Sequence, residues 1–180
     1  MLVAETKLIE ELRNPITQDK AFRKLMTKYK ERLYWHIRKI VISHDDADDV
    51  LQNTFIKVYK NIDTFKAESK LYSWMYRIAT NEAITFINKR AKEKNTNVSD
   101  LQYKLAENLE ADVYFDGDEM QLQLQKAIAT LPQKQQLVFN MKYFDEMKYV
   151  DMSEILETSV GALKASYHHA VKKIESFLTN

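Results

Sequence analysis

Glycine and proline are almost absent from this chain: its 180 residues contain 2 Gly and 2 Pro. Tight β-turns depend on these two residue types for their backbone angles, so the chain has few places where strands could be connected. We therefore predict an all-α fold. At this length the helices can form one domain or two small ones.

The composition also excludes several classes of protein. Cys is absent, which removes disulfides and thiolate metal sites and is typical of a cytosolic protein. No apolar stretch approaches the roughly 20 residues that cross a bilayer. The first residues, MLVAETKLIEELRN, lack the apolar core of a signal peptide. We expect a protein that is not membrane-embedded and that acts in the cytoplasm.

Charge divides the chain into three parts, although the net charge is only +1. Residues 1–95 carry 19 Lys and Arg against 13 Asp and Glu, residues 96–120 carry 1 against 7, and residues 121–180 carry 7 against 6. Helical periodicity runs through the first and third parts. We predict two small helical domains joined by an acidic, flexible linker that is at most partly ordered.

The segment from Tyr149 to Leu178 has the pattern of a helix–turn–helix. In its second half one helical face is apolar and is formed by Leu163, Tyr167, Ala170, Ile174 and Phe177. The opposite face carries small and cationic side chains, which suit the major groove of DNA: Lys164, Ala165, His168 and Lys172, with His169 and Lys173 at its edges. Thr158 and Ser159 can cap this helix, whereas Glu157 stands where many such turns have glycine. An ordinary helical hairpin with a solvated basic face would give the same pattern.

A cluster of carboxylates precedes the second long helical stripe. Asp45 or Asp46 is expected to cap that helix, because carboxylates favour the positive end of the helix dipole. A metal site is the alternative for this cluster, which also contains His44, Asp48 and Asp49. The spacing lacks the glycine and the closing glutamate of a Ca²⁺ loop, so we predict neither a metal nor another cofactor.

Several segments, taken in order, resemble a known family: DADDVLQNTFIKVYKNIDTF, SKLYSWMYRIATNEAITFINKR, LPQKQQLVFNMKYF and SEILETSVGALKASYHHAVKKI. They are similar to the successive blocks of sigma factors in the sigma-70 family of bacterial RNA polymerase, in particular its compact extracytoplasmic-function (ECF) branch. The resemblance covers about residues 20–95 and 121–178. It implies a region 2-like domain at 1–95, a linker at 96–120 and a region 4-like domain at 121–180.

The resemblance implies a dissociable transcription initiation factor that is not an enzyme. Such a protein binds core RNA polymerase, directs it to promoter DNA and assists promoter opening. An anti-sigma factor is a further expected partner. Val113, Tyr114 and Phe115 are candidate contacts for it, the alternative being that they pack on a lobe. The alternative is a dimeric helix–turn–helix regulator that binds DNA without polymerase. A helical enzyme that uses the aspartate cluster is a further rival.

In the first domain, the family pattern assigns the helix from Asp48 to Tyr59 to the clamp helices of the polymerase β′ subunit. The matching residues are Asp48, Asp49, Gln52, Asn53, Phe55 and Tyr59, the two aromatic ones serving as anchors. The loop from Phe65 to Ser73 and the helix after it match the part that recognises the −10 promoter element, where the loop holds an extruded base. The candidates there are Lys66, Glu68, Ser69, Lys70, Tyr72, Arg77, Asn81, Lys89 and Arg90. Trp74 is assigned to core packing.

In the second domain, the segment from Pro132 to Phe144 and the helix before it match the part that packs on the polymerase β flap. Pro132 is expected at the first position of its helix. The residues that match the −35-reading helix are Lys164, Ala165, Ser166, His168, His169 and Lys172. Family members often carry Arg at positions 166, 169 and 171, so this domain is expected to bind DNA weakly by itself. The acidic linker either follows the polymerase's RNA-exit path or is a solvated tether.

Overall fold

The computed structural model describes residues 2–66, 68–112 and 117–179. Within these ranges the chain is helical and contains no strand, which confirms the all-α prediction. The helices are α1 (Leu2–Arg13), α2 (Gln18–Val41), α3 (His44–Asn61), α4 (Leu71–Glu93), α5 (Val98–Glu107), α6 (Glu119–Ala129), α7 (Gln133–Tyr143), α8 (Tyr149–Leu156) and α9 (Val160–Thr179), with 3-10 turns at Ile62–Thr64 and Leu109–Ala111. Val113, Tyr114 and Phe115, the candidate anti-sigma contacts, lie outside the described residues.

Helices α1 to α4 form the N-terminal lobe, in which α2, α3 and α4 pack against one another around a shared core. Its fully buried residues follow the helical spacing of the sequence and include Leu25, Leu33, Ile37, Val50, Val58, Met75, Ala79 and Ile87. Burying each of the larger aliphatic side chains contributes about 1.5–3 kcal/mol. Helix α1 closes one side of this core through Ile9 and Leu12.

Helix α3 begins at a different cap from the one that the sequence predicts. Ser43 is the N-cap, and its hydroxyl accepts a hydrogen bond from the backbone N–H of Asp46 at 3.5 Å. The prediction of Asp45 or Asp46 as the cap is therefore wrong. Both aspartates lie inside the first turn, where their charge still favours the helix dipole. Ser43 can take the cap because its backbone is extended, as a cap residue requires.

Helices α6 to α9 form the C-terminal lobe, and α9 presents the predicted face to its interior. Leu163, Ala170 and Ile174 are buried, while Tyr167 and Phe177 pack at the edge of the core. Pro132 is the N-cap residue of α7, one position before the first helical position that the sequence predicted. Its missing N–H costs no helical hydrogen bond at either position. Ser159 accepts a hydrogen bond from the N–H of Ala162 at 3.3 Å, which confirms it as a cap of α9.

The turn between α8 and α9 explains why a glycine is common at this point in such motifs. Glu157 ends α8 in the left-handed conformation, with φ 50° and ψ 43°. Glycine adopts this conformation without cost, whereas a residue with a Cβ loses about 1 kcal/mol there. The turn therefore forms with Glu157 at a small expense in stability.

The segment 96–120 differs from the predicted flexible linker over its described residues. Helix α5 is packed: Leu101 and Ala106 are buried, and the side-chain amide of Gln102 donates to the carbonyl of Ile40 at 2.7 Å. Leu109 joins a small buried cluster with Ile42 and residues of α6. The acidic composition concealed this packing, because the charged residues occupy the outer face of a short amphipathic helix.

Leu101→Ala should test whether this segment is a structural element. We expect the free energy of unfolding in urea to fall by about 2–5 kcal/mol, because a buried leucine is removed and a cavity remains. Lys104→Ala, an exposed substitution on the same helix, is the control and should change little. If Leu101→Ala and Lys104→Ala unfolded at the same urea concentration, the packing of α5 would be contradicted.

Candidate functional site

A groove runs between α2 and α3, with a volume of about 680 Å³. Its lining combines apolar and polar side chains: Phe22, Met26, Lys30, Asp48, Asp49, Leu51, Gln52, Phe55, Ile56, Tyr59 and Lys60. Five of the six residues predicted for polymerase contact are therefore brought together on one surface. Asn53, the sixth, is exposed on the same helix but does not line the groove.

The aromatic residues of this groove are less accessible than the sequence suggested. Phe55 is only 5% exposed and packs edge-on against Phe22, with ring centroids 6.0 Å apart. The Tyr59 hydroxyl donates to Asp19 at 2.9 Å, and its ring also lies edge-on to Phe22. Phe55 lines the groove but does not project from it, because its ring completes the core. Ile56, which is 45% exposed, is the projecting apolar side chain that sequence reasoning missed.

Two carboxylates of the cluster at the start of α3 have partners within the same lobe. Asp46 forms an ion pair with Arg90 of α4, and Asp48 lies 3.5 Å from the Nε2 atom of His44. Over the part of the chain that the structure describes, no group of three or more His, Cys, Asp or Glu side chains is arranged to hold a metal ion. Arg90, a predicted −10 contact, is therefore tied to Asp46 in this arrangement.

The connection between α3 and α4 carries the loop residues predicted to contact the −10 element. Lys66 and Glu68 are exposed, and Ser69 is half-buried. Phe65 anchors the start of this connection, since it is buried and its ring lies 5.3 Å from that of Trp74. The assignment of Trp74 to packing agrees with this contact.

Tyr72 is held by other aromatic rings and does not project from the loop. Its ring lies 4.4 Å from that of Tyr76 and 6.5 Å from that of Tyr29, and the guanidinium of Arg32 lies over it. Burial raises the pKa of Tyr72 to about 12, so its hydroxyl stays protonated at neutral pH. These contacts leave the Tyr72 ring partly buried.

The C-terminal lobe lies against the part of α4 that carries the predicted −10 contacts. Lys70 forms an ion pair with Asp151 of α8 at 2.6 Å. Arg77 donates to the backbone carbonyl of Glu154 and lies 3.0 Å from the carboxylate of Glu157. Asn81 remains exposed but lines a small pocket of about 260 Å³ that Glu157 also lines. Asp151 of α8 and Glu157 at its end thus pair with Lys70 and Arg77, two of the cations that the sequence assigned to DNA contact.

Asp145, in the turn before α8, makes the second charged contact between the lobes. It binds the ammonium of Lys39, and its other oxygen lies 3.3 Å from Nδ1 of His36. His36 is buried, and its Nε2 lies 2.8 Å from the hydroxyl of Thr80. Burial alone would raise the pKa of Asp145, but His36 and Lys39 outweigh it and hold that pKa below the ordinary value of 3.8. Asp145 is therefore charged at neutral pH.

The face of α9 that the sequence predicts to read the −35 element is open to solvent. Lys164, Ala165, His168, His169 and Lys172 are exposed, and Ser166 is half-buried. The ammonium of Lys164 lies 5.8 Å from the centre of the Tyr149 ring, a cation–π contact that holds it beside α8. Lys89 at the far end of α4 is also exposed and has only a loose pair with Glu93, at 3.8 Å.

Comparison with known proteins identifies both lobes. Residues 25–93 match the family model Sigma-70 region 2, and residues 121–174 match Sigma-70, region 4. The ECF RNA polymerase sigma factor SigW of Bacillus subtilis is 31% identical over 156 residues, covering 82% of this chain and 83% of SigW. The chain belongs to the ECF branch of the sigma-70 family. This sigma factor is also 26% identical to the ECF RNA polymerase sigma-E factor of Haemophilus influenzae, covering 87% of each chain.

Solved structures share the fold of this sigma factor at low sequence identity. A chain of the complex between CnrH and the cytosolic domain of CnrY matches 98% of it, with a TM-score of 0.70 and 20% identity. A chain of the complex between the sigma factor RpoE and the anti-sigma factor NepR from Bartonella quintana matches 89%, with a TM-score of 0.67 and 20% identity. No described helix is long and apolar enough to cross a membrane.

Family membership establishes the class of function. The chain is a dissociable transcription initiation factor that directs RNA polymerase to promoters. An independent dimeric regulator is not favoured, because the N-terminal lobe matches region 2 and not an effector domain.

Asp145→Asn should loosen the contact between the lobes. The substitution keeps the shape of the side chain but removes the charge that binds Lys39, and such partly buried, charged hydrogen bonds contribute about 1.5–3 kcal/mol. We expect the population with separated lobes to rise about tenfold or more. Because the chain has no Cys, spin labels can be attached to cysteines that replace the exposed Lys20 and Lys173. The distance between these two labels then reports the separation of the lobes. Glu146→Gln is the control, and identical distance distributions for wild type and Asp145→Asn would contradict this role.

Proposed function

We propose that this sigma factor works by recruitment and positioning, without covalent chemistry, in the cytoplasm where RNA polymerase acts. The groove between α2 and α3 would dock on the clamp helices of the polymerase β′ subunit. The surface around α6 and α7 would pack on the β flap. The two lobes would then read the −10 and −35 elements of one promoter, and the N-terminal lobe would assist its opening.

The groove between α2 and α3 is the observation that supports the proposed contact with polymerase. Asp48, Asp49 and Gln52 form an exposed polar rim beside the buried ring of Phe55 and the exposed side chain of Ile56. An apolar centre with a polar rim is the usual composition of a protein interface. A helical partner laid along this groove would bury Ile56 and find hydrogen-bonding groups along one side.

The −10 contact would use the exposed loop residues together with α4. Lys66, Glu68 and Ser69 would surround an extruded base, and Asn81 can present a donor and an acceptor to a base edge. Lys70 and Arg77 must first leave the carboxylates of α8, because those carboxylates now hold them. Promoter opening would therefore require the lobes to separate, as binding to two distant sites on polymerase would enforce. Lys89 and Arg90 would contact phosphates, with Arg90 leaving Asp46.

The −35 contact would use the exposed face of α9. Lys164 and Lys172 supply permanent charge, while the ring nitrogens of His168 and His169 add further hydrogen-bonding groups. Because only a few side chains carry a permanent positive charge, contacts with DNA phosphates would add little affinity. The C-terminal lobe would therefore bind DNA poorly alone. Anchoring both lobes on one polymerase raises their effective concentration at the promoter, which compensates for the weakness of each contact.

An anti-sigma factor would keep the protein inactive. RpoE of Bartonella quintana, which shares this fold, was solved with the anti-sigma factor NepR, and CnrH was solved with the cytosolic domain of CnrY. We propose a partner of this kind that stabilises the closed lobes. Affinity capture of the full-length protein from its own cells should recover both polymerase and this regulator, in separate complexes.

Transcription in vitro is the direct test of the proposed function. Core polymerase with this protein should produce transcripts from a subset of a promoter library, whereas core polymerase alone should not. A gel shift with the protein alone should show weak binding to the same promoters. Tight binding without polymerase, with no transcript from any promoter, would favour the dimeric regulator instead.

Asp49→Ala combined with Gln52→Ala should weaken binding to core polymerase by about tenfold to a hundredfold, because two polar contacts at the rim are lost. A titration of labelled protein with core enzyme measures this affinity. Glu31→Ala, an exposed carboxylate on α2 outside the groove, is the control. If the double variant bound like the wild type, the groove would not be the docking surface.

Asn81→Ala should lower promoter opening by about fivefold to a hundredfold, since one good base contact is worth about 1–3 kcal/mol. Permanganate footprinting of the melted −10 region measures opening, and affinity for core polymerase should be unchanged. Asn88→Ala, also exposed on α4, should behave as the wild type. Loss of core binding by Asn81→Ala would show that this part of α4 has a different role.

A further inference from the structure

Helix α1 precedes the segment that matches region 2, yet it contacts both ends of the connection between α3 and α4, which carries residues of the predicted −10 loop. Residues 65, 66 and 68–70 of this connection are described, and Phe65 and Leu71 bound it. The guanidinium of Arg13 donates to the backbone carbonyl of Phe65. The backbone N–H of Leu71 donates to the carboxylate of Glu5 at 2.6 Å. One helix thus holds the loop where it begins and where it ends.

The contact with Glu5 replaces a cap that α4 lacks. The N-cap residue of α4 is Lys70, which makes no side-chain cap hydrogen bond, and the first turn contains no acidic residue. The first amides of a helix need acceptors, and a negative charge is favourable near them. Glu5 supplies both from a separate helix, so the start of α4 depends on α1 being in place.

The spacing along α1 matches this task. Glu5 and Arg13 are eight residues apart on the same face, or about 12 Å along the helix axis at 1.5 Å per residue. Helix α1 is itself held in the N-terminal lobe by the buried side chains of Ile9 and Leu12. An ion pair between Glu11 and Lys24, at 3.2 Å, also ties it to α2. A rigid helix therefore sets the distance between the loop ends.

We propose that Glu5 and Arg13 are positioning residues for base recognition by the loop. This inference rests on the proposed −10 function. By fixing the loop ends before DNA binds, α1 restricts the geometries in which Lys66, Glu68 and Ser69 can meet an extruded base. A loop ordered in advance loses less entropy on binding and discriminates better between bases. Loss of the brace should therefore reduce sequence discrimination more than it reduces attachment to polymerase.

Glu5→Ala removes the cap, Glu5→Gln keeps an acceptor oxygen, and Glu10→Ala removes an exposed carboxylate from the same helix. Hydrogen exchange of the Leu71 amide should accelerate by about tenfold in Glu5→Ala, in line with the loss of a helix cap. Glu5→Gln should stay closer to the wild type, and Glu10→Ala should match it. Arg13→Gln, with the exposed Lys7→Gln as its control, tests the other end of the loop in the same way.

Transcription from promoters randomised across the −10 element then reads out discrimination. We expect Glu5→Ala to lose about tenfold in its preference for one base at one position of the −10 element, while its affinity for core polymerase is unchanged. Glu5→Gln should recover most of this base preference. Unchanged exchange at Leu71 would refute the brace. Faster exchange with an unchanged preference, or a uniform loss across all positions together with weaker core binding, would refute the positioning role.

The two measurements also separate this inference from the proposed function. If the wild type transcribed none of the promoters, the −10 assignment would fail and the positioning role with it. Hydrogen exchange would still report the capping contact in that case. If the wild type transcribed selectively and Glu5→Ala kept its selectivity, the proposed function would stand and the role of α1 alone would be overturned.

Discussion

The structure depends above all on the burial of α4 between the two lobes. One side of this helix packs on α2 and α3 through residues such as Met75, Ala79 and Ile87. Another side meets α8, whose Met152 and Ile155 belong to the same buried cluster. The lobes therefore share one apolar core, and separating them exposes part of it to water. This apolar contact, more than the ion pairs around it, opposes separation.

The ion pairs between the lobes have a different role. Lys70 is exposed and paired with Asp151 of α8, and the half-buried Arg77 is paired with the exposed Glu157 that follows α8. Ion pairs at a surface contribute only about 0–1 kcal/mol. A cation that is weakly held can exchange its carboxylate for a phosphate at little cost. The contact of Asp145 with Lys39 and His36 is more buried and less easily replaced. In the closed arrangement the ion pairs of Lys70 and Arg77 can thus break easily, while the more buried contact of Asp145 holds the lobes together.

Much of the fold follows from spacing, and the residues show where spacing suffices. The apolar face of α9 was predicted because Leu163, Ala170 and Ile174 recur at helical intervals, and these side chains are buried. Spacing failed where two residues compete for one role. Ser43 caps α3 instead of Asp45 or Asp46, because only its backbone is extended there. Phe55 fills the core instead of projecting, because Phe22 of another helix lies opposite.

For the candidate surfaces, the sequence alone located the polar rim of α3 and the exposed face of α9. Helical periodicity suffices for this, because it shows which side chains face outward without knowledge of the neighbouring helices. It could not show that α8 covers Lys70 and Arg77, or that Glu5 caps α4, because those contacts join residues 66 to 81 positions apart. Local periodicity determined the helices and their faces, and the resemblance of four ordered segments indicated the family. Only the tertiary packing decided which charges are free, because pairing depends on which helices meet.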